Sequence, residues 1–222
     1  MSLNRFVAIS VDPAVEVGAF HAVEMLRRSG WRSQLFTMTG EQQSSFENTL
    51  LHNPSIAAVL ELSLSDLTAM QLGVRPKVVP ERLTSAAMLG IPQVIVPGCL
   101  DHVIVSSNDP VPIDREQMAL DQVTTLIRTS AEDCDALGKE LAFKASASHG
   151  IVKIVFPRGG LSSWDVAEQP DYDSQMNQAL LDSLLLWKSP AIELIESHRH
   201  INDSLFIQIV VDQLLKLLVV RR

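Results

Sequence analysis

The sequence is poor in cysteine, in positive charge and in unbroken apolar runs, and each shortage removes a class of function. Only Cys99 and Cys134 occur in 222 residues. Neither stands in a metal-ligand or redox spacing, which fits a reducing, cytoplasmic compartment where disulfides are rare. Lys and Arg number 18 against 26 Asp and Glu, a formal net charge of -8. A general nucleic-acid binder needs a basic surface to displace counterions, so that partner is not expected beyond a local basic patch. The N-terminus shows no apolar segment ahead of a small-residue cleavage site, so no signal peptide is expected. The most apolar segment, 204–220, is broken by Asp212, Gln213 and Lys216 and is too short and too polar to span a bilayer. Internal repeats and low-complexity linkers are missing as well.

What is present is the composition of a globular protein with a core: 46% hydrophobic and 20% charged residues. Short β-branched runs at 6–11, 32–37, 56–62, 93–96, 151–156 and 191–195 read as strands. Helical patterns follow at 13–28, 41–51, 80–89, 129–146, 173–187 and 204–220. Thr129 and Glu132 have capping-box spacing. Strand–helix alternation implies parallel strands with crossover helices. The expected fold is α/β and Rossmann-like, an open, doubly wound, mostly parallel sheet in three layers, with 1–222 as one domain. The stretch 109–121, with Pro110 and Pro112, is expected to be an irregular loop or flap.

Ligands of such sheets bind outside the carboxyl ends of the strands. The richest loop there is Pro157-Arg158-Gly159-Gly160-Leu161-Ser162-Ser163. Two readings compete for it. Successive backbone N–H groups, Arg158 and Ser162 would cradle an anion, or the glycines serve only a tight strand-to-helix turn. Arg128 beside Thr129 would likewise assist an anion at a helix start, or pair with Glu132 or Asp101. Thr39, Gly40 and Gly98 leave other strands at the same edge. His198 and His200 with Asp203 have the pattern of a metal ligand set that needs a further ligand, for which Asp101 or His102 would have to serve, so no metal is expected; Asn202 or Asp203 capping the last helix is the simpler reading. His200 and Asp101 are the candidate acid/base groups, and Asn202 is a candidate polar contact to the ligand. The last helix is apolar over more than one face, which means burial or a subunit seam, and a homodimer is expected.

Taken in order, Val96-Pro97-Gly98 with Asp101, Leu126-Ile127-Arg128-Thr129, Pro157-x-Gly159-Gly160-x-Ser162 with Asp165, and His200-Ile201-Asn202-Asp203 with Phe206 resemble a known pattern. They are similar to the C-terminal half of an uncharacterised (UPF) family of bacteria, fungi and plants. Its plant member is a tobamovirus resistance protein, and its label is ATP-binding. The resemblance implies a nucleotide as one possible ligand. It also implies a partner, because members are about twice as long, with a nucleotide-associated N-terminal half. A separate chain equivalent to that half, a fragment or a reduced member are the options. The chain departs from the family at Thr37 to Gln43, where members carry a glycine loop, at Asp101-His102-Val103-Ile104, and at Leu120-Asp121-Gln122, where members carry a histidine. An altered or lost activity is the implication. The leading expectation is a protein that binds a small anion (nucleotide, phosphate or carboxylate), by itself or as one part of an enzyme. The alternatives are an inert protein-interaction module and a metal-dependent hydrolase.

Overall fold

The computed structural model describes residues 5–38, 42–74, 81–106, 109, 115, 117–167, 172 and 174–220, with the side chains of 42–44 and 220 left aside. The first strand, β1 (Phe6–Val11), sends Val7, Ile9 and Val11 to one face and Ala8 to the other, the period-two pattern of a strand buried on both sides. Asp12 ends it. Its Oδ1 accepts the N–H of Ala14 at 3.1 Å, and Pro13 opens a short 3-10 turn. That turn precedes α1 (Glu16–Arg28), where one continuous helix was expected.

Then follow β2 (Arg32–Thr37), α2 (Gln42–His52), β3 (Ile56–Glu61), α3 (Ser65–Gln71), the single turn α4 (Ser85–Met88) and β4 (Gln93–Ile95). After an inserted segment come α5 (Ala131–Ser146), β8 (Val152–Pro157), α6 (Ser174–Trp187), β9 (Glu193–Ser197) and α7 (Ser204–Val220). The six main strands are all parallel, in the order β2-β1-β3-β4-β8-β9. Helices α1 and α7 cover one face. On the other, α2 and α4 lie over β1 and β3, and α5 and α6 over β4 and β8. This is the expected three-layer α/β arrangement.

Several local readings need correction. The inserted segment is a second, antiparallel sheet of β5 (His102–Ser106), β6 (Gln117–Ala119) and β7 (Thr124–Arg128), in the order β5-β7-β6. Its strands have three to five residues; the apolar run of β5, Val103-Ile104-Val105, is only three long, and β6 and β7 carry Gln and Thr, so the sheet has little signal in the sequence. Val103, Val105 and Ile127 seat one face on Ala69, Leu72 and Val74, at and just beyond α3. Strand β6 falls inside the stretch expected as an irregular loop; 110–114 and 116 of that stretch lie outside the described residues. Helix α5 starts at Ala131, and the capping box is Ser130 with Asp133, one residue on from the expected pair. Strand β9 begins two residues later than expected. In α7, Phe206, Ile207, Val210, Val211, Leu214, Leu217 and Leu218 are buried in the core, so its apolar breadth serves packing within the chain. Among the described residues no helix is long and apolar enough to cross a membrane.

Candidate functional site

The glycine loop after β8 does hold an anion, and the anion is the chain's own. Leu161 N–H and Asn177 Nδ2 donate to Asp165 Oδ2 at 2.8 and 2.5 Å, and Arg128 donates to Oδ1 at 2.9 Å. Other N–H groups of the loop are engaged within the chain. Arg158 N–H donates to Ser197 O, Gly159 N–H to Arg199 O, Gly160 N–H to Pro157 O and Ser163 N–H to Ala14 O. A buried N–H must find an acceptor, and here backbone carbonyls and one carboxylate supply it.

Asp165 belongs to a buried cluster at the root of the small sheet. His102 and Arg128 face each other across β5 and β7. Asp101 Oδ2 lies 2.8 Å from His102 Nδ1 and 3.4 Å from Arg128, and accepts the Ser162 hydroxyl at 2.7 Å. Asp101 and Ser162 are fully buried. Burial by itself raises the Asp101 pKa. His102 at contact distance, then Arg128 and the Ser162 hydroxyl, outweigh it and hold the carboxyl below its ordinary value. Burial lowers the His102 pKa, and the facing Asp101 carboxylate, helped by Asp12, reverses that and raises it. The expected pairing of Arg128 with Asp101 is present, extended by Asp165. Asp101 Oδ1 and Arg128 Nε have no hydrogen-bond partner among the described residues.

His200 and Asn202 lie beside this cluster, with their polar atoms committed. The His200 ring nitrogens meet Ser162 O at 2.8 Å and Asn202 N–H at 3.1 Å, a pattern that assigns the proton to Nε2. Asn202 Oδ1 accepts Gly18 N–H and its Nδ2 donates to Ala14 O, so it ties down the start of α1. Asp203 takes the capping role at α7, accepting Leu205 N–H at 2.7 Å. The segment 199–202 fills the crevice at the carboxyl edge, and glycines make room for it. A Cβ on Gly98 would stand 2.6 Å from Ile201, one on Gly159 2.6 Å from the Arg199 carbonyl carbon, and one on Gly160 2.6 Å from the His200 ring. Thr39 and Gly40 lie outside the described residues. Among the described residues no group of three or more His, Cys, Asp or Glu could hold a metal ion. Both cysteines are free and buried, and burial pushes the Cys134 thiol up to about 11 and the Cys99 thiol upward too, so neither supplies a thiolate.

Open space at the edge is found one step further along, around Arg158. A cleft of about 350 Å³ is lined by Phe156, Arg158, Ser174, Gln175, Asn177, Gln178 and Leu181. It lies between the carboxyl end of β8 and the first turns of α6. Arg158 donates to Glu196 Oε2 and Gln178 Oε1, both at 2.7 Å. The Arg158 and Glu196 side chains are 36% and 37% exposed, which makes the pair a surface ion pair that a ligand can replace at little cost.

A second charged cluster had no signal in the sequence. Arg82, 1% exposed, bonds Glu47, Glu61 and Asp66 at 3.1, 2.6 and 2.6 Å, and all three carboxylates are equally buried. Glu61 ends β3, Asp66 opens α3 and Glu47 lies in α2, so only tertiary folding gathers them. Burial raises the Asp66 pKa to about 6; Arg82 opposes the rise, and Glu61 and Glu47 add to it.

The family model described as the C-terminal domain of an uncharacterised protein family (UPF0261) matches residues 5–218. A UPF0261 protein of Clostridium tetani is 27% identical over 189 residues, covering 83% of this chain and 46% of the relative. A UPF0261 protein of Brucella melitensis is 27% identical over 184 residues, covering 82% and 44%. One from Rhizobium meliloti is 24% identical over 177 residues, covering 78% and 44%. The chain thus spans less than half the length of these curated relatives.

Proposed function

The chain belongs to the UPF0261 C-terminal domain family, and from that premise we propose that it is the small-anion-binding domain of a two-part protein. The observation that carries this reading is the cleft of about 350 Å³ at the carboxyl end of β8, with Arg158 in its wall and the first turns of α6 beside it. Its volume falls in the range of small-molecule sites, about 300–1,000 Å³. A helix N-terminus and a guanidinium both favour negative charge. Gly159, Gly160 and Ser162 act one layer below. The glycines admit the 199–200 backbone, while Arg128, Leu161 N–H and the Ser162 carbonyl fix Asp165, and Asp165 fixes Asn177 in the cleft wall. Asp101, His102 and His200 anchor the same loop and the base of the small sheet.

The length of the relatives supports a second part that precedes this domain and covers the open edge. A cleft between two such domains is a common place for a ligand. The resemblance of the sequence motifs to a family labelled ATP-binding supports nucleotides as one ligand class, and carboxylates and sugar phosphates are the others. A thermal-shift screen over these three classes should raise Tm of the wild-type chain. A ligand at one hundred times its Kd stabilises by about 2.7 kcal/mol. Arg158→Ala should lose that shift while keeping its own unfolding free energy within about 0.5 kcal/mol of wild type, because the Arg158–Glu196 pair is half-exposed. A screen without any shift, or a shift that survives in Arg158→Ala, overturns the reading.

The proposal includes a homodimer. Phe143, Leu186 and Trp187 are 50%, 74% and 41% exposed on α5 and α6, and Phe143 and Trp187 contact each other, which favours a seam there rather than on α7. Light scattering at micromolar concentration should give twice 24.4 kDa. A monomer mass overturns the dimer.

A further inference from the structure

The charge around the cleft argues for a ligand that is more than an anion. Arg158 is the cation in its lining. It is held by Glu196, and Gln178 passes the chain of hydrogen bonds on to Asp182 at 2.7 Å. One carboxylate, Glu196, therefore stands at the guanidinium, and Asp182 lies beyond Gln178. A simple monoanion would gain Arg158 and meet Glu196 as a like charge, which disfavours it. The wall contains a further acceptor. Asn177 is 5% exposed, and its Nδ2 is spent on Asp165. Its Oδ1 has no hydrogen-bond partner among the described residues. A buried acceptor without a donor is costly, and a ligand donor would relieve it. Phe156 and Leu181 supply an apolar floor.

One donor-seeking acceptor, one guanidinium and an apolar floor around about 350 Å³, with the Glu196 carboxylate on that guanidinium, match a small zwitterion. Resting on the anion-site reading above, we propose that the cleft takes a free amino acid with an apolar side chain. Its carboxylate pairs with Arg158 and the first turn of α6. Its ammonium group is received by Glu196 and the Asn177 side of the wall, and its side chain lies on Phe156 and Leu181. When the carboxylate takes Arg158, Glu196 is released to the ammonium, so the Arg158–Glu196 ion pair is exchanged for two.

Isothermal titration calorimetry of the whole chain tests this. The probes are apolar L-amino acids, each with its deamino carboxylic acid and its decarboxylated amine. The amino acid should bind at least about tenfold tighter than either counterpart, the scale of one hydrogen bond to a charged group. Glu196→Gln should remove that preference and leave carboxylic-acid binding equal or tighter, because Arg158 is then free of competition. Carboxylic acids that bind as tightly as amino acids, with sensitivity to Arg158→Ala, overturn the zwitterion and leave the anion site standing. Binding of the amine alone, or of no probe, overturns the zwitterion, and the anion site is then decided by the thermal-shift screen with Arg158→Ala.

Discussion

Gly160→Ala is expected to leave little folded protein. Its backbone has φ of +133°, which L residues rarely adopt, and an added Cβ would stand 2.0 Å from Asp165 O. Neither obstacle yields cheaply. Asp165 O is backbone, and the Asp165 side chain is held by Leu161, Arg128 and Asn177. The His200 ring lies 2.6 Å from the same Cβ and is itself pinned at both nitrogens. Moving any of them breaks a buried hydrogen bond, so the expected loss is more than about 4 kcal/mol, the exceptional tail for single substitutions. Gly30→Ala is the control. Its φ is +79° and an added Cβ meets nothing within 4 Å, so backbone strain of about 1–2 kcal/mol is the whole cost. Urea midpoints compare the two. Equal midpoints would show that the loop gives way and that the crevice is not tightly filled.

Arg82→Met should be as damaging at neutral pH, for an electrostatic reason. It leaves Glu47, Glu61 and Asp66 buried without their cation. Breaking one buried ion pair costs about 3–5 kcal/mol, and here three carboxylates lose one partner. The cost depends on pH in a definite direction. In the wild type, Asp66 titrates at about 6 when folded, against 3.8 as its ordinary value. The folded state holds that proton more tightly, so this group's contribution to stability is lost as pH rises from about 3.8 to about 6 and is flat above. Without Arg82 the Asp66 carboxyl loses the charge that opposes its rise and holds its proton to higher pH, so the variant should regain stability on acidification. Urea unfolding near pH 5 and pH 7 measures this. Arg82→Met should recover at the lower pH, and Asp66→Asn in the wild-type background should flatten the slope. An Arg82→Met variant that is equally unstable at both values would mean that the lost packing against Phe46, 5.2 Å from the guanidinium, outweighs the charge.

Much of the main sheet was legible because its signals are local. Runs such as Ile56–Glu61, buried at every position, mark interior parallel strands. Glycine marks where helices stop, as at Gly30 and Gly90, both at positive φ, but the helix expected over 80–89 is only the single turn Ser85–Met88 among the described residues. The small sheet was not legible, since β6 has three residues and its partners pair across a loop. The glycine loop was legible as special but not in its purpose. Sequence can say that Gly159 and Gly160 permit a close approach. What approaches is the backbone and ring of 199–200, some forty residues on. Asp165, the anion of the cradle, lies five residues from Gly160, yet its partners come from β7 and α6. Arg158 was marked as a site residue, and the cleft beside it came with Asn177, Gln178 and Glu196, which carried no motif.

By itself the sequence determined the α/β class, the six parallel strands and the edge on which loops would gather, because periodicity and turn chemistry act over a few residues. Only the tertiary structure decided which charges meet. Arg82 with its three acids, Arg128 with its two, and the choice of 199–202 rather than a ligand to fill the crevice all depend on contacts between distant segments. A buried charge must be paired wherever the fold brings a partner, and no short spacing records that partner.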